Sequence, residues 1–231
     1  MVREAANGEA LDPRPAGVRG EPGQFVAALW RFELSGGGTA AGLEEELART
    51  ARSQRGLRGL WGQMTLRSLD RPGRYLHLSC WRSFGALLGA LHAGTFCAGL
   101  DRLDRLADVE PGQAVGVGLL GTALAVADTA HAILVEALLD GEAARFELDF
   151  GAFAGQFMHD TGFGGVLLLR STTDPRAYLG ILWWTNPLDR DEAFTTPHFH
   201  TRHHHLHTTT THLTIERAQT TSALPPNSTE L

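Results

Sequence analysis

The sequence predicts an α+β protein, with two tandem ferredoxin-like repeats forming an intramolecular dimeric α+β barrel. Three observations carry that expectation. Two long segments align without gaps at a constant offset of 103 positions. Each copy reads, from its hydrophobic periodicity, as β-α-β-β-α-β. The third strand of the first copy is strongly hydrophilic on neither face, as expected when one face meets helices and the other meets a second sheet.

The repeat is plainest in GLWGQMTLRSLDRPGRYLHLSCW (59–81) against GFGGVLLLRSTTDPRAYLGILWW (162–184). Gly59 pairs with Gly162, Arg67-Ser68 with Arg170-Ser171, Tyr75-Leu76 with Tyr178-Leu179, and Trp81 with Trp184. The register extends back to Glu33 and Glu136 and forward to Phe96 and Phe199. A fixed period held over that span marks a duplicated structural unit.

Within each copy the elements follow in order. FVAALWRFEL (25–34) and HAILVEALL (131–139) are short apolar runs typical of strands. Next come helices, with Leu43, Leu47 and Ala51 in one copy and Phe146, Phe150, Phe153 and Phe157 in the other at helical spacing. DRPGR (70–74) and TDPR (173–176) are turns, each joining two strands into a hairpin. A second helical stretch follows each Trp, and QAVGVGLLG (113–121) and HLTIERAQ (212–219) close the copies as strands. The repeats span 24–122 and 128–221, between a leader (1–23) expected to be disordered and a flexible tail (222–231). In strand three, Tyr75, His77, Ser79 and Trp81 alternate with Leu76, Leu78 and Cys80. A four-stranded sheet with both helices on one face leaves its other face apolar, so the two sheets are expected to cover each other.

Composition narrows the function classes. The formal charge is −6 and the pI about 6.0, without a basic stripe, which argues against nucleic acid as a partner. All 20 basic residues are arginine, which excludes Schiff-base chemistry and a lysine-bearing phosphate loop. Two cysteines, Cys80 and Cys97, supply neither a disulfide framework nor a thiolate zinc site. Mean hydropathy is −0.12 and no apolar run reaches membrane-spanning length, so the expectation is a cytoplasmic protein with no membrane partner.

Trp81-Arg82-Ser83-Phe84, then Ala86-Leu87, His92 and Phe96, form a pattern of W-x-S-F-x-A-L with a downstream His and Phe. It resembles the antibiotic biosynthesis monooxygenase family. The tandem length and the all-arginine, Ala- and Gly-rich composition are further similar to oxygenases that open the B ring of angucyclines. The resemblance covers roughly residues 25–220 on short motifs, and it bears on fold more than on function. It implies an oxygenase that tailors an aromatic polyketide of hydroquinone or naphthol type, with oxidative ring opening as one outcome. No metal or haem is implied and no cofactor held tightly; molecular oxygen is the co-substrate and reduced flavin an electron source. Relatives of the same fold degrade haem or cyclise polyketides. The alternatives are therefore a haem protein using His203, a non-oxidative cyclase, or a small-molecule binder.

Site candidates come from differences between the copies. His77 stands where the second copy has Gly180, and His92 where it has Thr195. Either histidine is a general base able to take a phenolic proton, or a satisfied structural histidine. Trp81 joins them as a catalytic candidate. Trp61, Met64, Phe96 and Trp184 are expected to wall a flat aromatic substrate, and Glu44 to reach the pocket from the edge of its helix. The first copy is expected to hold the principal pocket. In HFHTRHHHLHTTTTH (198–212), His200, His203, His204 and His207 share a helical face able to bind metal, yet no carboxylate completes the set. Any homodimer is expected to use outer surfaces, because the two sheets already cover each other.

Overall fold

The computed structural model describes residues 25–121 and 130–224. The leader, the linker and residues 225–231 lie outside the described residues, as do the side chains of 94–97 and 222–224. The first copy comprises β1 (Val26–Leu34), α1 (Ala40–Gln54), β2 (Leu60–Ser68), β3 (Arg74–Trp81), α2 (Phe84–Leu91), α3 (Gly94–Leu103) and β4 (Ala107–Gly121). The second comprises β5 (His131–Leu139), α4 (Ala143–Gly155), β6 (Phe163–Ser171), β7 (Ala177–Trp184), α5 (Pro187–Thr195), α6 (Pro197–Thr208) and β8 (Thr210–Leu224). Each stretch after a Trp, read from the sequence as one helix, is two. The second break is explained by Thr196, whose side chain caps α6 just ahead of Pro197.

Local chemistry accounts for the main boundaries. Thr39 caps α1 by accepting the Gly42 amide, and Leu43, Leu47 and Ala51 form its buried face. Burying each of the two leucines contributes about 2 kcal/mol. Gly73, at φ 87°, takes the left-handed turn ahead of β3 that other residues rarely adopt.

The eight strands close into one antiparallel barrel in the order β1-β3-β2-β8-β5-β7-β6-β4. Closure depends on two 15-residue strands that change partner along their length. β4 pairs with β1 through Val115 and with β6 from Ala114 onward. β8 pairs with β5 up to Gln219 and with β2 from Ala218 to Leu224. Both run beyond the segments read from the sequence. Asp108, Glu110 and Pro111 hid the start of β4, but Pro111 sits where the strand has a neighbour on one side only, so its missing N–H costs no ladder bond. Residues 222–224, read as tail, are paired strand.

The barrel interior is packed by one apolar cluster that includes Leu29, Met64, Leu78, Cys80, Leu134, Leu167, Ile181 and Trp183. The outward faces of the strands carry the helices, α1–α3 on one half and α4–α6 on the other. Charged groups pin the seam between copies. Glu136 of β5 accepts from Arg31 Nε and Arg74 Nη2, each at 2.8 Å, and Arg217 of β8 reaches Asp70 at 2.6 Å.

Candidate functional site

Between the first half-barrel and α1 lies a layer that the sequence reading did not single out as a group. On the helix-facing side of β2 and β3 stand Gln63, Thr65, His77 and Ser79, and the buried face of α1 adds Thr50 and Gln54. All six are buried. Thr65 Oγ1 and His77 Nδ1 are 2.9 Å apart, Gln63 Nε2 donates to the Ala51 carbonyl at 2.7 Å, and Trp81 Nε1 donates to Ser79 Oγ at 3.0 Å. Thr50 Oγ1, Gln54 Oε1, Gln63 Oε1 and His77 Nε2 are buried with no hydrogen bond among the described residues. Thr50 Oγ1 turns toward Gly99 of α3. Leaving a polar group buried and unpaired costs about 1–3 kcal/mol, so four around α1 are a large cost for packing alone to carry.

The second copy shows what the same frame looks like without that chemistry. At the matched positions stand Phe153, Phe157, Val166, Leu168, Gly180 and Leu182. Each polar group has been replaced by an apolar one or by nothing. The exchange of His77 for Gly180 is coupled to that of Leu47 for Phe150. A Cβ at Gly180 would lie 2.4 Å from the Phe150 ring, so the ring takes the space. Trp184 Nε1 is unpaired because Leu182 stands where Ser79 accepts from Trp81.

Burial removes water from His77 and pushes its pKa down to about 4, so the ring is neutral at pH 7. The phenolic proton of a substrate has a pKa near 10, like that of tyrosine, and moving it fully to such an imidazole costs about 8 kcal/mol. His77 is therefore a hydrogen-bonding partner that polarises a hydroxyl, and a poorer ground-state base than its sequence context implied. When its Nδ1–H donates to Thr65, Nε2 is left as an acceptor.

The remaining predicted residues separate. Glu44 reaches the sheet from α1, accepting from Tyr75 Oη at 3.0 Å and Arg67 Nη1 at 3.1 Å. Desolvation and then Glu44 push the Tyr75 hydroxyl up to about 12, keeping it a donor. The matched Tyr178 donates to Glu147 at 2.7 Å. Trp81 is fully buried on the helix side with Ala28, Leu87 and Ala90, and Trp184 is its counterpart against Phe157 and Phe163. Met64 and Trp61 point the other way. Met64 belongs to the barrel interior, and Trp61 packs against the same cluster and against Phe25 at 5.1 Å. Strand alternation separates Met64 from Trp81, and a bulge between Leu60 and Gly62 lies beside Trp61. A single pocket walled by all of these is therefore not what forms. His92 caps the end of α2 and is exposed, apart from His77. The side chain of Phe96 lies outside the described residues.

Residues 198–208 of the histidine run lie in α6, which ends at Thr208, whereas Thr210, Thr211 and His212 already belong to β8. His203 is half-buried and stacks on Phe199 at 5.9 Å, with His207 edge-on at 4.8 Å. Desolvation lowers its pKa, and His207, His200 and His204 add to the effect. Among the described residues, no three His, Cys, Asp or Glu converge on a metal position.

No family model matches the chain, and no curated protein matches it in sequence. Solved structures do match. A candidate monooxygenase from Fusobacterium nucleatum superposes with TM-score 0.74 over 90% of this chain and 96% of its own, at 8% identity. The fold is that of two-repeat, monooxygenase-named proteins. A second such protein, from Lactobacillus acidophilus, gives 0.69 over 87% and 96% at 10% identity. An anthrone oxidase-like protein gives 0.65 over 87% and 93%, also at 10% identity. Likeness at this identity carries architecture and leaves activity to the site. Among the described residues no helix is long and apolar enough to cross a membrane.

Proposed function

We propose that the protein is an oxygenase acting on a hydroxylated polycyclic aromatic of naphthol or hydroquinone type, with the first copy as its working site. The observation that supports this most is the buried polar layer of His77, Gln63 and Thr65, matched by apolar residues in the second copy. Two of its unpaired atoms are amide oxygens, Gln54 Oε1 and Gln63 Oε1, and His77 Nε2 is a third acceptor in the tautomer described. A ligand that brings hydroxyl donors satisfies them, whereas a bare hydrocarbon does not.

The chemistry needs no protein-bound redox group when the substrate is electron-rich. A phenol and O2 give a quinone and water, with all four electrons drawn from the ring, and ring opening would call on reduced flavin as a free co-reactant. The chain's part is to exclude water, align the ring and polarise its hydroxyl through His77.

The decisive experiment copies the second repeat into the first, as Gln63→Val with Thr65→Leu. Oxygen uptake with dihydroxynaphthalenes should fall at least a hundredfold in the folded variant, which loses the Gln63 Oε1 acceptor together with the Thr65 hydroxyl that holds His77 Nδ1. Uptake at the unaltered rate in the folded variant would refute the assignment. Consumption of substrate without oxygen would favour a cyclase instead.

A further inference from the structure

A cavity of about 630 Å³ lies between α4 of the second copy and the paired segments of β4 and β6. Its lining includes Leu119, Phe150, Ala154, Val166 and Leu168, with Glu147 as its one charged residue. We propose that this cavity is a second ligand site, selective for an apolar aromatic carrying a single hydrogen-bond donor, and separate in chemistry from the polar site of the first copy.

Three observations support it. The volume lies within the range of small-molecule pockets, which are apolar with few polar groups that fix orientation. Val166 and Leu168 of this cavity stand at the positions that match Gln63 and Thr65, so the polar pair of the first copy is apolar here and the space is open. At the rim, Leu148 and Leu120 are 73% and 48% exposed, an apolar surface that an unliganded mouth leaves in water. The occupant is defined by Glu147. One of its carboxylate oxygens accepts from Tyr178, and the other has no hydrogen bond among the described residues. A hydroxyl or N–H on an otherwise apolar ring satisfies that oxygen, whereas an anionic ligand is repelled by it.

N-Phenyl-1-naphthylamine, a neutral amine that joins a naphthyl and a phenyl ring through one N–H, is a suitable probe, because its emission rises in apolar surroundings. The intact protein should show one saturable site for it. Gly151→Leu projects a side chain into the cavity from α4, where a Cβ meets nothing within 4 Å, and Gly118→Leu does so from β4. Each should weaken probe binding at least tenfold, with melting temperature and oxygen uptake unchanged. Glu147→Gln should weaken the amine but not the hydrocarbon 1-phenylnaphthalene. Absence of saturable binding, or binding indifferent to both glycine substitutions, would overturn the proposal. Oxygen uptake in the same variants reports separately on the first copy.

Discussion

His77 lies 3% exposed with its pKa displaced from 6.5 to about 4, and that displacement has a measurable sign. As pH falls from 7, the unfolded chain binds a proton at this position before the folded chain does. Stability is therefore lost between about pH 6.5 and pH 4, by about 3 kcal/mol in all. Urea denaturation of the parent and of His77→Leu at pH 7 and pH 4.5 should show a steeper loss in the parent, by about 2 kcal/mol. Identical losses would show that the ring is not held neutral by burial. At pH 7, His77→Ala should cost about tenfold or more in turnover, the worth of one good hydrogen bond to a polarised group. His92→Ala and His203→Ala, on exposed and half-buried helix surface, should cost less than twofold. The asymmetry between His77 and Gly180 was legible in the sequence because the repeat supplies its own control. The role of Gln63, Thr65 and Thr50 was not. A polar residue in a strand or on a helix reads as solvent-facing until α1 is seen to cover it.

At the scale of elements, alternation and spacing served well where a strand is regular and failed where it is not. The helix-facing set of Tyr75, His77, Ser79 and Trp81 was readable directly. The bulge beside Trp61 and the polar opening of β4 were not, because neither leaves a mark in periodicity. The ion cluster across the seam carries its own prediction. Burial alone would raise the Glu136 carboxyl, but Arg31 and Arg74 outweigh it and hold the group below its ordinary value. Glu136→Gln leaves both guanidinium groups partly desolvated and should cost about 2 kcal/mol in urea denaturation. Because the cluster joins β5 to β1 and β3, the variant should also separate the unfolding of the two copies, visible as a broadened transition. A full-strength, single transition would show that the strands alone hold the seam.

For the molecule as a whole, the exchange of β4 and β8 means that neither half owns a complete barrel. A chain cut between Gly121 and Ala130 and produced as two pieces should reassemble into a 1:1 complex with near-parent activity. The first piece alone should self-associate, because it exposes the apolar interior face of Leu66, Leu76 and Leu78. Sedimentation of each piece, alone and mixed, distinguishes these outcomes, and a monomeric, soluble first half would contradict the shared core.

The tandem arrangement has a further consequence for change over generations. In a barrel made from two identical chains, every substitution is written twice, so a site can improve only in ways its twin also tolerates. Covalent joining ends that obligation. Polar side chains can then be kept in one half at positions that the other half fills with phenylalanine, valine and leucine, while the second half carries unpaired polar atoms of its own at His131, Gln156 and Trp184. The imbalance between Thr65 and Leu168, or Gln63 and Val166, is therefore open only to a chain that is its own partner.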